Sequence, residues 1–173
     1  MSKLRADCSR CCGLCCVVPD QLVIQGFGND KPANIPCLHL AHDHHCAIYE
    51  RRDSLGYPAC ASFDCFGAGQ WVTEYLFSGA DWQESPELAP EMYSAYRHWL
   101  PRFHAAALIE AALPYVRGDT RQRLVARIAE LTSSEATSDC APVDERRLRA
   151  ETMVMIHDAL GLDDSDAPAP PQC

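Results

Sequence analysis

Hydrophobic positions along this chain change rhythm near residue 67. Before it, apolar residues come in short clusters such as Leu14 to Val18, broken by Gly, Pro, Asn and Asp, with little helical periodicity. After it, a 3.6-residue spacing takes over. Trp71, Tyr75 and Leu76 recur three to four apart and predict a short helix. Ser85-Pro86-Glu87-Leu88 reads as a helix start, with Ser as cap and Pro at the first helical position. Met92, Tyr96, Trp99, Phe103 and Ala107 extend the stripe, and Pro101 predicts a kink or a split, because proline removes an amide donor and crowds the preceding turn. Asp119 is expected to cap another helix, with Leu124, Val125, Ile128 and Leu131 on one face. Thr132 to Ala141 reads as a polar loop. Pro142 then begins a last helix that aligns Leu148, Thr152, Met155, Ile156 and Ala159 and stops at Gly161. Residues 163–173 are acidic and proline-rich and read as a disordered tail. Stripes of this kind are the ordinary signature of helix-bundle core.

The expected fold class is therefore mainly α: a loop-rich, metal-stapled cysteine module at 1–66, a helical region at 67–162 and the tail at 163–173. Composition supports a folded chain, since 47% hydrophobic and 23% charged residues are near the averages for globular proteins. The staple is inferred from cysteine placement. Of 11 cysteines, nine (Cys8, Cys11, Cys12, Cys15, Cys16, Cys37, Cys46, Cys60 and Cys65) precede residue 67. A loop-rich segment of that length buries too little core to fold unaided and needs a metal, disulfides or a supporting domain. An odd cysteine count, adjacent pairs and a charged start that leads into no signal-length apolar run all weigh against disulfides. No run approaches the roughly 20 apolar residues of a membrane span. The expectation is a cytoplasmic protein with reduced thiols.

Charge narrows the partners. The formal net charge is -9, and residues 67–173 carry 9 basic against 17 acidic side chains. Phosphate neutralisation calls for a basic face, so nucleic acid is a poor partner, with only Arg146, Arg147 and Arg149 forming a local patch. The acidic helices instead offer a surface for a protein partner.

The first cluster reads Cys8-Ser-Arg-Cys11-Cys12-Gly13-Leu14-Cys15-Cys16. Thiolates two or three residues apart can reach one metal, and Gly13 lets backbone amides point toward sulfur. Tetrahedral thiolates suit zinc and iron–sulfur clusters equally, so the metal is open. Adjacent cysteines diverge, which suggests two centres or one cluster with spare thiols. The later set is Cys37, Cys46, Cys60 and Cys65, accompanied by His39, His42, His44 and His45. The His42-Asp43-His44-His45 stretch is either a weak divalent site or a solvated turn, with the turn favoured. Glu50 and Asp64 sit beside ligand candidates, where they either orient ligands or, by default, stay solvated, and Arg51 and Arg52 either offset thiolate charge or pair with Asp53 or Glu50. Cys140 and Cys173 lack partners at ligand spacing and read as bystanders. There is no G-x-G-x-x-G loop, no HExxH and no convincing Ser/His/Asp set. Gly67-Ala68-Gly69 lacks the third glycine of a nucleotide loop and reads as the end of the metal module.

Taken together, C-x2-C followed by Cys-Cys with a glycine, Cys37 before His39 and Leu40, Cys46-Ala47-Ile48-Tyr49-Glu50-Arg51, and Cys60 followed by Phe63-Asp64-Cys65 resemble the bacterial CxxCxxCC, zinc/iron-chelating (YkgJ-like) family. The resemblance covers about residues 7–70. It implies metal ligands at Cys8, Cys11 or Cys12, Cys15, Cys16, Cys37, Cys46, Cys60 and Cys65. Two departures stand out. The first cluster is one residue longer than the family pattern, which leaves Cys11 and Cys12 as alternatives, and Arg52 follows Arg51 where the family usually has proline. Three functions follow as expectations: a metal-binding module holding zinc or an iron–sulfur centre; an iron–sulfur oxidoreductase or modifying enzyme, since flagellin lysine methylases look distantly similar in their cysteine spacing; and a metal carrier or thiol redox sensor, for which surplus cysteines speak.

Overall fold

The computed structural model describes residues 4–133 and 143–162. Cys140, Cys173, Pro142, the 163–173 tail and all but the start of the Thr132–Ala141 loop lie outside the described residues. The described part is mainly helical, as expected, with helices α1 (Leu14–Val17), α2 (Pro58–Ser62), α3 (Ala68–Gln70), α4 (Ala89–Ala112), α5 (Gly118–Leu131) and α6 (Glu145–Leu160). Extended pairing among the described residues is limited to isolated bridges, Gln21 with Lys31 and Leu40 with Cys46. No described helix is long and apolar enough to cross a membrane.

The centre of the molecule is α4. Met92, Tyr96, Trp99, Phe103, Ala106 and Ile109 are all buried, so the predicted stripe holds except that Ala106, not Ala107, takes its fifth position. Pro101 does not split the helix, which runs unbroken for 24 residues. Ser85 precedes a single 3-10 turn, Pro86–Leu88, and makes no side-chain cap, so α4 itself begins at Ala89. Helices α5 and α6 pack on α4. Asp119 lies inside the first turn of α5 behind an Arg117 cap, and Val125, at 43% exposure, turns away from the face that buries Leu124 and Leu131. Asp144 caps α6 by accepting from the Arg147 amide at 3.0 Å, and Gly161 ends it in the left-handed region as the sequence predicts.

The predicted helix at Trp71 exists but is wider than an α-helix. Helix α3 passes directly into a π-helical turn, Trp71–Leu76, that buries Trp71, Val72 and Thr73. Trp71 joins an aromatic ladder with Trp99 and Phe103, at centroid distances of 5.5 and 6.0 Å. Tilted ring contacts of this kind contribute beyond simple burial.

Cysteines enter this core through α1. In Leu14-Cys15-Cys16-Val17 the helical period sends positions three apart to one side. Leu14 and Val17 are fully buried, while Cys15 and Cys16 are half-buried. Leu14, Val17 and Val18 join the cluster containing Val72, Met92, Tyr96 and Trp99. One turn of helix thus anchors the cysteine-bearing loops to the bundle.

Large-to-small changes at such sites remove both transfer energy and packing, about 2–5 kcal/mol for leucine to alanine. Leu14→Ala is expected to cost that much in chemical denaturation. Ile24→Ala, at a side chain 92% exposed, should stay within about 0.5 kcal/mol of the parent.

Candidate metal centre

Local hydrogen bonding sets the first group of sulfurs. Asp7 accepts from the Ser9 amide and hydroxyl at 3.1 and 2.6 Å and shapes the turn that holds Cys8. Gln70, at the end of α3, clamps the same segment. Its Oε1 accepts from the Asp7 amide at 2.6 Å and its Nε2 donates to the Arg5 carbonyl at 3.1 Å. Arg10 pairs with Glu74 on the π turn. The Cys8–Cys11 segment is therefore laid against the chain that follows Cys65. Asp64 accepts from the Phe66 amide at 2.7 Å and fixes the bend there. At Gly69 an added Cβ would stand 2.6 Å from Cys11 Sγ and 3.9 Å from Cys65 Sγ. Only glycine lets the Cys11 sulfur lie directly on that helix.

Cys12 is built differently. It is 3% exposed, its amide donates to Thr73 Oγ1 at 3.3 Å, and its sulfur shares a 3.4 Å hydrogen bond with the same hydroxyl. Its carbonyl accepts from the Trp82 indole at 2.7 Å. The widened π turn presents Thr73 to this thiol.

A second group gathers around Cys16. The Cys37 amide donates to the Cys16 carbonyl at 2.8 Å, and the Leu40–Cys46 bridge with the Ala47-to-His39 bond folds Cys46 back beside Cys37. Arg52 donates to the carbonyls of Tyr49 and Cys60 at 2.8 and 2.9 Å and lies 3.7 Å above the Tyr49 ring. Lys31, 4% exposed, donates to the carbonyls of Val17, Pro19 and Pro32 at 3.0, 2.6 and 3.0 Å. The histidines go elsewhere. His39 bonds the Tyr57 hydroxyl at 2.9 Å, His44 pairs with Asp81 at 2.7 Å, His45 turns back on the Asp43 carbonyl at 2.8 Å, and His42 lines an open groove of about 610 Å³ with Trp82, Gln83 and Tyr93.

Burial dominates the electrostatics of most of these sulfurs. Burial pushes the Cys11 thiol up to about 12, against partial relief from the Leu14 and Gly13 amides, which donate to its sulfur. Burial likewise pushes Cys60 up to about 11, with Cys16, Cys37 and Cys46 adding repulsion. Cys37 and Cys46 are raised by burial and receive the amides of His39 and Ile48. The amide two residues ahead thus donates to sulfur at Cys11, Cys37 and Cys46, which favours thiolate over thiol. Cys15 and Cys16 share a hydrogen bond with sulfurs 4.0 Å apart. That bond holds the proton on Cys15 and lowers Cys16, which also feels Lys31 and Arg52.

Among the described residues, no three His, Cys, Asp or Glu side chains stand close enough to hold one ion as they are. The sulfurs are gathered without being closed on a point. Two observations fit a thiolate-bound metal nonetheless. The donor set is soft and amide-supported. In addition, the Tyr96 hydroxyl, on a side chain 1% exposed, has no hydrogen-bond partner among the described residues, and its electrostatic neighbours are Cys15, Cys65, Cys11 and Cys16. An orphaned buried donor is costly unless something accepts from it, and a ligated sulfur is such an acceptor.

The sequence marks Gly69 only as the end of the metal module and Gln70 only as the residue that follows it, with no contact assigned to either, and it does not single out Tyr96, Thr73 or Lys31 as parts of the site. Tyr96 carries only its helical spacing, and Thr73 and Lys31 have no local pattern that ties them to a cysteine. Gly69→Ala is expected to cost about 1–3 kcal/mol by overpacking, read in denaturant, and to weaken metal retention by moving Cys11. In the reduced, metal-free chain at neutral pH, iodoacetamide should label Cys16 before the more exposed Cys8 and should label Cys12 last, as followed by mass spectrometry.

Comparison with known proteins agrees with the cysteine-cluster resemblance at a coarse level. The chain is 35% identical over 117 residues to the Bacillus subtilis protein named "Uncharacterized protein YybG", covering 64% of this chain and 42% of the relative. UPF0153 proteins of Vibrio cholerae and Pseudomonas aeruginosa are 39% and 38% identical over 46 residues, covering 26% of this chain and 56% and 55% of theirs. No family model matches, and no solved structure matches. The chain thus spans about half the length of the curated relatives it matches, and its homologues are YybG-like and UPF0153 proteins.

Proposed function

We propose that this chain is a metal-binding protein of the cysteine-cluster type, holding zinc or an iron–sulfur centre through N-terminal thiolates. The observation that carries this reading is the convergence of cysteines from separate loops onto α1, with amide donors on three sulfurs and Lys31 and Arg52 in their field. The similarity to UPF0153 proteins supports it. When bound, zinc would supply a structural crosslink or Lewis acidity, and an iron–sulfur centre would supply electron transfer. The chain's own residues position the sulfurs, exclude water through Leu14 and Val17, and would release the thiol protons to solvent as the thiolates take up a metal.

Protein purified without oxygen should contain stoichiometric metal by elemental analysis. A visible charge-transfer band identifies iron–sulfur; a colourless protein with zinc excludes the redox version. Cys15→Ser/Cys16→Ser should lose the metal and the order of residues 8–65. A reduced, folded, metal-free parent chain overturns the proposal.

The direction of the pH dependence follows from the raised thiols. Ligation must displace protons that the metal-free fold keeps up to about 12 at Cys11 and about 11 at Cys60. Apparent metal affinity, measured by chelator competition, should therefore rise with pH. Stability of the metal-free chain runs the other way. Unfolded thiols ionise near the ordinary 9.0, so the folded state binds more protons above it and loses stability as pH climbs from about 9 through these values.

A further inference from the structure

Nine cysteines exceed what one four-coordinate ion uses, and their arrangement divides the surplus. This step rests on the metal-binding reading and asks how many centres there are and which thiols hold each. Cys15 and Cys16 are consecutive in α1, and successive helical side chains diverge by roughly 100°. Their sulfurs stay 4.0 Å apart and share a hydrogen bond, but beyond each other they reach different neighbours. On one side the Gln70 clamp brings the Cys8–Cys11 segment against the chain after Cys65, and the Cys11 and Cys65 sulfurs flank the same point on Gly69. On the other side the Cys37 amide is bonded to the Cys16 carbonyl, the Leu40–Cys46 bridge returns Cys46, and Arg52 ties the Cys60 carbonyl to the Tyr49 turn.

We propose that the module holds two adjacent tetrathiolate centres, one on Cys8, Cys11, Cys15 and Cys65 and one on Cys16, Cys37, Cys46 and Cys60, with Cys12 a packing thiol that ligates neither. The mutual influence of the sulfurs joins the two sets at Cys16: Cys15 feels Cys16 first and then Cys11 and Cys65, Cys8 feels Cys65 and then Cys16, and Cys37, Cys46 and Cys60 each feel Cys16. Counter-charge is shared unevenly. Lys31 lies in the field of Cys16 and Cys37, and Arg52 in that of Cys16, Cys46 and Cys60 and also of Cys8, while the first centre has as its donor the buried Tyr96 hydroxyl, which has no hydrogen-bond partner among the described residues. Cys12 is excluded because its amide, sulfur and carbonyl are all engaged by Thr73 and Trp82. Where the first cluster allowed Cys11 or Cys12, Gly69 admits Cys11.

The test measures metal per chain in anaerobically purified full-length protein, with far-ultraviolet circular dichroism as the check on folding. Cys65→Ser and Cys60→Ser should each remove part of the metal, the two losses summing to the parent's whole content. The pair of substitutions together should remove all of it, and Cys12→Ala none. A folded single variant that loses everything or nothing overturns the division. A folded Cys12→Ala or Cys12→Ser that loses metal overturns the exclusion of Cys12. If a serine variant does not fold, Cys8→Ser and Cys46→Ser report on the same two sets. A parent chain without metal defeats the metal-binding reading itself; a parent with metal whose losses are not complementary defeats only the two-centre division.

Discussion

Sulfurs that share a small volume cannot all ionise without a cation to receive their charge. Around one turn of helix, burial and mutual repulsion hold protons on Cys8, Cys11, Cys15, Cys37, Cys46 and Cys60. Cys16 moves the other way because Cys15 donates to it and Lys31 and Arg52 lie near. Two side-chain cations do not balance so many thiolates. The metal-free arrangement is thus a set of protonated, closely placed ligands, and exchanging their protons for a metal is the relief that the geometry invites.

That arrangement is supported by the bundle it sits on. Leu14 and Val17 enter the core of α4 and the π turn, so ordering the sulfurs and packing the helices are linked events. The π turn itself has a local effect: widening the helix at Trp71–Leu76 sets Thr73 against Cys12 and leaves Gly69 beneath Cys11. Tyr96 belongs to both parts, with its ring in the aromatic core and its hydroxyl toward the thiols.

Much of the fold was legible because helical periodicity is a local property. Met92, Tyr96, Trp99 and Phe103 could be placed on one face from spacing alone, and Gly161 stops α6 for the reason glycine usually does. Misplacements arose where neighbours decide. Val125 satisfies the period yet faces outward because α5 meets α4 along a narrower face, and Pro101 is tolerated inside a helix that other helices brace. Of the two arginines expected to offset thiolate charge, Arg52 is the one in the field of Cys8, Cys16, Cys46 and Cys60.

For the site, the amino-acid order alone determined that the chemistry is carried by thiols and that nine of them lie within the first 66 residues. Cysteine identity and short spacing are enough for that, since a turn brings nearby thiols together in almost any fold. Which sulfurs share a neighbourhood, why Cys12 differs from Cys11, and which donors and cations face them were decided only by tertiary structure. Gln70, Thr73, Gly69 and Tyr96 lie more than fifty residues from the cysteines of the first cluster that they touch or influence, and only packing of the chain back on itself brings them there.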